Sequence, residues 1–151
     1  MGVVALSGQD TIIINSHVVA DSADGDVAVL KFPNAIAQVK TGKNGNSIYG
    51  FNESGKQCEL DIKVLRGSAD DKFFNNLLAQ QQLNFAGTVL MNGQLIKKVG
   101  DGKGNITNDI YVLGGGVFVN QVDAKSNVEG DTDQSTATYK MKFTNAPRAL
   151  T

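Results

Sequence analysis

Residues 50–57 read GFNESGKQ, a glycine and four arbitrary residues followed by Gly55-Lys56. A P-loop has this spacing because its backbone N–H groups and lysine surround nucleotide phosphates, and it also needs Ser or Thr after the lysine to hold Mg²⁺. Gln57 occupies that place. The loop must also open a helix whose N-terminus faces the phosphates, whereas residues 58–64 alternate like a strand. The stretch is expected to be a turn. A second candidate, DGKGNITND, spaces Asp101, Lys103, Asn105 and Thr107 like the ligands of a calcium loop. Its third position is a cation, Ile106 stands where the sharp turn needs glycine, and Val112 replaces the closing bidentate glutamate. A Gly/Asn-rich connection between strands is expected instead.

His17 is the sole histidine and Cys58 the sole cysteine. A zinc site of several imidazoles or thiolates cannot be built from them, and an intrachain disulfide is excluded. No GxSxG elbow supplies a nucleophile for His17, so it reads as a structural or surface residue beside TIIIN. The adjacent carboxylates Asp70 and Asp71 fall in the first turn of a helical pattern, where they suit the positive end of the helix dipole. They are read as caps, not as an acid/base pair. The stretch 123–133 sets Asp123, Glu129, Asp131 and Asp133 against Lys125 and is expected to be a solvated loop. No catalytic residue, metal or cofactor is expected.

The elements that would position any site follow from length and periodicity. A chain of 151 residues with 41% hydrophobic content fits a single domain, 1–151, with a real core. Its 14 basic and 15 acidic residues leave a net charge of −1, which gives no electrostatic footprint for gripping nucleic acid or an anionic membrane. The opening MGVVALSGQDTIIIN lacks a basic n-region, and no apolar run is long enough to span a bilayer. A soluble, cytoplasm-made chain is expected, and the single cysteine suits a reducing compartment.

In CELDIKVL, Cys58, Leu60, Ile62 and Val64 share one face; in ATYKMKF, Ala137, Tyr139, Met141 and Phe143 do the same. Both predict half-buried strands. Weaker strand signals cover 11–14, 27–32, 36–40, 88–91, 94–99, 110–113 and 117–122, and Asn92-Gly93 predicts a tight hairpin. One helix is predicted over 69–82: Ser68 is its N-cap, and Phe73, Phe74, Leu77 and Leu78 form an apolar stripe that packs on the strands. Strands, one helix, then more strands predict a mainly β sandwich or barrel with a flanking helix.

Between two strand signals lies KTGKNGNSIYGFNESGK, read as a long polar loop over 41–56. Loops of this length are usually functional or disordered. Ile48, Tyr49 and Phe51 within it would be costly to leave in water unless the domain or another subunit covers them. Together with this stretch, CELDIKVLRGSADDKFFNNLLAQQ and SNVEGDTDQSTATYKMKFTNAP resemble the tail-tube proteins of contractile-tailed bacteriophages, in order and over most of the chain.

That resemblance implies a non-enzymatic structural subunit. Six copies would close into a ring, and rings would stack into a hollow tube inside the contractile sheath. DNA, preceded by the tape-measure protein, would pass through the bore without specific binding. The expected partners are the chain itself, sheath, tape-measure and baseplate proteins, and the expected location is the virion tail, assembled in the host cytoplasm. Lys43, Asn44, Asn46, Ile48, Tyr49 and Phe51 are then expected to meet a neighbouring subunit or the next ring. Tailocin and secretion tubes share the fold and are not separated from a phage tail by residues. The rival class is a carbohydrate- or ligand-binding β-sandwich module, although such modules usually present exposed aromatics and this chain has no Trp.

Overall fold

The computed structural model describes residues 2–7, 10–20, 27–124, 126, 128 and 132–151. In chain order its strands are β1 (Ala5–Leu6), β2 (Thr11–Ile14), β3 (His17–Val18), β4 (Ala28–Lys31), β5 (Ala37–Thr41) and β6 (Ser47–Phe51). They continue with β7 (Cys58–Leu65), β8 (Met91–Gly100), β9 (Ile106–Phe118), β10 (Thr136–Phe143) and β11 (Arg148–Leu150). Among the described residues the single α-helix, α1, spans Ala69–Leu83. The fold is mainly β with one helix, as expected, and its strands form a large antiparallel sheet.

The two strongest alternations build its centre. Cys58, Leu60, Ile62 and Val64 are fully buried while Glu59, Lys63 and Leu65 face solvent. Antiparallel register sets Ile62 opposite Tyr139 and Leu60 opposite Met141, and on its other side β7 sets Ala28 and Leu30 opposite the same two residues. The three strands therefore share one continuous apolar face. Burying each large aliphatic side chain stabilises the fold by about 1.5–3 kcal/mol. Phe74 and Leu78 of α1 close over this core, with the Phe74 ring 5.3 Å from that of Tyr139.

The strands join in the order β3-β2-β8-β9-β10-β7-β4. The 13 residues of β9 belong to both halves: most pair with β8, whereas Val117 and Phe118 pair with β10. Between those parts, a Cβ on Gly116 would lie 2.3 Å from the Phe143 ring. Glycine there lets the strand lie against that ring, so the two predicted strands 110–113 and 117–122 are one continuous element ending at Phe118. Among the described residues, β3 and β4 end the order, and each pairs on one side alone.

The expected hairpin at Asn92-Gly93 is absent. Both residues lie inside β8, which starts at Met91, and residues 88–90 form no strand. A Cβ on Gly93 would lie 2.2 Å from the Ile13 carbonyl oxygen, so this glycine serves the close approach of β2 and not a turn. The tight turn is Asn15-Ser16, between β2 and β3, with φ of 48° and 67°. Positive φ at both central residues matches the right-handed strand twist of a hairpin. Asn15 N–H also donates to the Asn92 carbonyl at 2.8 Å, and Asn92 N–H donates to Asn15 Oδ1 at 3.0 Å.

At the other end of the chain, Arg148 Nε and Nη2 donate to Asp109 Oδ1 and Oδ2 at 2.7 and 2.8 Å, tying β11 to β9. This hydrogen bonding holds the Asp109 carboxyl below its usual range. A carboxyl lowered in the folded state contributes stability above its unfolded value and loses it as pH falls through the folded one. Below the ordinary carboxylate range, the mutual Asn108 and Thr151 backbone bonds should therefore lose hydrogen-exchange protection before those of β7. Equal loss in both places would contradict a local tether.

Candidate assembly interface

The segment expected to be an irregular loop over 41–56 is ordered structure. Its first residue ends β5, residues 47–51 are β6, and Glu53–Lys56 form a 3₁₀ turn. The sequence there is rich in Gly, Asn and Ser, which masks a strand whose partner lies a few residues upstream. At the tip, Gly42 N–H donates to the Asn46 carbonyl at 2.7 Å, and Gly45 has a φ of 82° that glycine accommodates. Lys43, Asn44 and Asn46 sit in this exposed turn.

Register resolves the apolar residues into faces. Val39 pairs with Tyr49 and Ala37 with Phe51, whereas Lys40 pairs with Ile48 and Gln38 with Gly50. Directly opposed residues share a face and neighbours alternate. One face thus carries Ala37, Val39, Tyr49 and Phe51; Ile48 lies on the other, among polar residues. The three residues grouped together from sequence are split by the pleat. Tyr49 is 77% exposed and Phe51 64%. A two-stranded ribbon with one apolar face lacks the second layer that ordinarily stabilises such a sheet.

The base of this ribbon is closed by bonds within residues 35–55. Asn52 N–H donates to the Ile36 carbonyl at 2.8 Å, and Asn52 Nδ2 donates to the Ala35 carbonyl at 3.1 Å. Asn52 Oδ1 accepts from Ser54 Oγ at 2.9 Å. A Cβ on Gly55 would lie 2.6 Å from Ile36 Cα, so the chain crosses itself there at a distance glycine permits. Lys56 pairs with Glu53 at 3.2 Å, and its ammonium lies 5.5 Å from the centre of the Phe51 ring. The P-loop-like stretch is therefore the hairpin's base, followed by the strand β7.

The helix presents the predicted stripe with a clear ranking. Phe74 and Leu78 are buried, while Phe73 and Leu77 are partly buried against the same core. Ser68 caps the helix, its Oγ accepting from Asp71 N–H at 3.2 Å. The two carboxylates read as caps do more than that. Asp70 is 1% exposed, with Oδ1 2.5 Å from His17 Nε2 and Oδ2 accepting from Ala20 N–H at 2.8 Å. Asp71 accepts from Gly67 N–H at 2.7 Å and from the Tyr139 hydroxyl. Burial, reinforced by Asp71, pushes the Tyr139 phenol well above its ordinary pKa. His17 stacks on Phe73 with ring centres 4.1 Å apart. These groups pin the β2–β3 turn to the helix, and their separation of 53 residues leaves no local sequence signal.

Other candidates resolve as structure. Asp101 accepts from Lys103 N–H at 2.7 Å and from Asn105 Nδ2 at 2.8 Å, closing the β8–β9 connection within itself. The Asn105 bond leads in holding its carboxyl below the usual range. Cys58 is buried, and burial pushes its thiol up. Among the described residues no His/Cys/Asp/Glu cluster has a metal-binding arrangement. The acidic stretch 123–133 lies partly outside the described residues. No helix among the described residues is long and apolar enough to cross a membrane.

A second exposed apolar surface went unnoticed in the sequence. It begins at the last residue of α1 and carries Leu83, Phe85, Val89 and Leu90, with Leu83 88% and Val89 86% exposed. Its signal was available: residues 73–96 contain no charged side chain. A groove of about 120 Å³ adjoins it, lined by Leu77, Gln80, Thr88, Val89, Met91 and Phe118 among others. Ligand pockets generally measure about 300–1,000 Å³, so this groove does not favour a saccharide-binding module. Models of known protein families show no match to the chain, and no curated protein matches it.

Proposed function

We propose that the chain is a structural subunit of a self-assembling tube, of the kind that forms the inner tail tube of contractile-tailed phages. The observation that carries this reading is the β5–β6 ribbon, closed at its base by its own hydrogen bonds and exposing an apolar face. The one-sided borders β3 and β4 add backbone groups that sister copies can complete. Six copies would close into a ring, with the ribbon reaching a neighbouring subunit or the next ring, and stacked rings would leave a bore for DNA.

The protein's part is mechanical, with no reaction to catalyse. A bore that transmits DNA must not bind it, since cationic walls hold a duplex through counterion release. The net charge of −1 accords with such a wall. Sheath, tape-measure and baseplate proteins would be its partners in a virion tail. Negative-stain microscopy of concentrated protein tests the reading. Hollow sixfold rings or tubes are expected, and a lasting monomer that binds sugar would replace it with the ligand-binding alternative.

A further inference from the structure

We propose that Asn44 is a modification site, where the chain deamidates without an enzyme through attack of the Gly45 backbone nitrogen on the Asn44 side chain. This chemistry is independent of the assembly reading. The sequence holds two Asn-Gly pairs, Asn44-Gly45 and Asn92-Gly93, and every other asparagine precedes a bulkier residue. Glycine in that place leaves the attacking nitrogen unobstructed, because it has no Cβ. The fold sets the two pairs in opposite surroundings.

Asn44 lies in the exposed turn between β5 and β6. Its side chain makes no hydrogen bond among the described residues. Gly45 has a φ of 82°, and a Cβ built on it would meet nothing within 4 Å, so no neighbouring chain crowds the nitrogen. Gly45 N–H donates to the Gly42 carbonyl at 3.0 Å, a bond at an exposed tip, where local opening requires little free energy. Asn92 lies instead inside β8, between β2 and β9. Its N–H and carbonyl are both bonded to Asn15, and Gly93 pairs with Ile14 on one side and Leu113 on the other. Closing a five-membered ring there would turn Asn92 out of the strand conformation and break those pairings.

At the tip the Gly45 nitrogen loses its proton and bonds to Asn44 Cγ. The Cγ–Nδ2 bond breaks, and Nδ2 takes up an equivalent proton to leave as ammonia. Water then opens the cyclic imide at either carbonyl, leaving an aspartyl or isoaspartyl residue at position 44. Residues 37–51 carry two lysines, Lys40 and Lys43, and no carboxylate, so the new charge lowers the ribbon from +2 to +1. The isoaspartyl form also lengthens the backbone at the tip that Thr41 and Ser47 close.

Dilute, folded full-length protein held in mildly alkaline buffer tests the site by peptide mapping, with fragmentation assigning each product among Asn44, Asn46, Asn52 and Asn92. Conversion at Asn44 should run at least about tenfold faster than at Asn92, a barrier difference of about 1.4 kcal/mol, and should quicken as pH rises. In denaturant the two pairs should react at similar rates. Asn44→Gln should abolish the main acidic product while leaving melting and the Asn92 rate unchanged, since Asn44 is exposed. Comparable rates at the two sites in the folded chain, or an Asn44 that stays intact, would overturn the proposal. A difference that persists undiminished in denaturant would overturn its structural basis.

Discussion

Replacing residues 37–51 with a two-residue Asn-Gly turn should yield a folded monomer that does not assemble. The excision is clean because the ribbon's base is already closed by the Asn52–Ile36 backbone bond at 2.8 Å. No residue of β5 or β6 belongs to the core, and every one of them is exposed. Its removal should therefore change the body's stability by no more than about 0.5 kcal/mol, the scale of substitutions away from packed features. What it removes is the apolar face of Ala37, Val39, Tyr49 and Phe51. Sedimentation and thermal melting together check the outcome: a single light species with a near-parental melt is expected. Unchanged assembly would show that the ribbon is dispensable.

Phe74→Ala should have the largest effect on stability. Phe74 is fully buried, and its ring lies 5.3 Å from Tyr139 and 5.5 Å from Phe73. Truncating such a ring costs about 3–5 kcal/mol, combining lost transfer energy with the cavity left behind. Set against a typical total of about 5–15 kcal/mol, that takes a large share of the fold's stability. Phe73→Ala should cost much less, because Phe73 is partly exposed and its main ring neighbour is His17. Denaturant unfolding of the two variants checks the ranking. Equal losses would contradict the packing described for α1.

The residues that were legible in sequence were those whose partners are local or whose face is wholly dry. β7 and β10 alternate strictly and lie as expected, and α1 starts at its Ser68 cap and ends one residue beyond its expected end. Asn92-Gly93 misled because the same dipeptide that suits a turn also suits a strand crossed closely by another backbone. The glycines at 114–116 read as a break between strands, although they let β9 pass close to Asn145, Thr144 and Phe143. The ribbon was hidden by its composition: a strand whose residues are all exposed in its own chain has no need of continuous apolar alternation. Ile48, Tyr49 and Phe51 marked the segment as unusual, but only register could separate Ile48 from the other two. β1, β3 and β11 are two or three residues long and held by partners distant in sequence, so no window along the chain contains their cause.

The most direct measurement is hydrogen exchange of the β5–β6 amides as a function of protein concentration, with particle mass followed in parallel. If sister copies cover the apolar face, protection at Val39, Tyr49 and Phe51 rises in step with mass, while the β7 amides stay protected throughout. Assembly that proceeds with those ribbon amides still exchanging as fast as in the monomer would contradict the account.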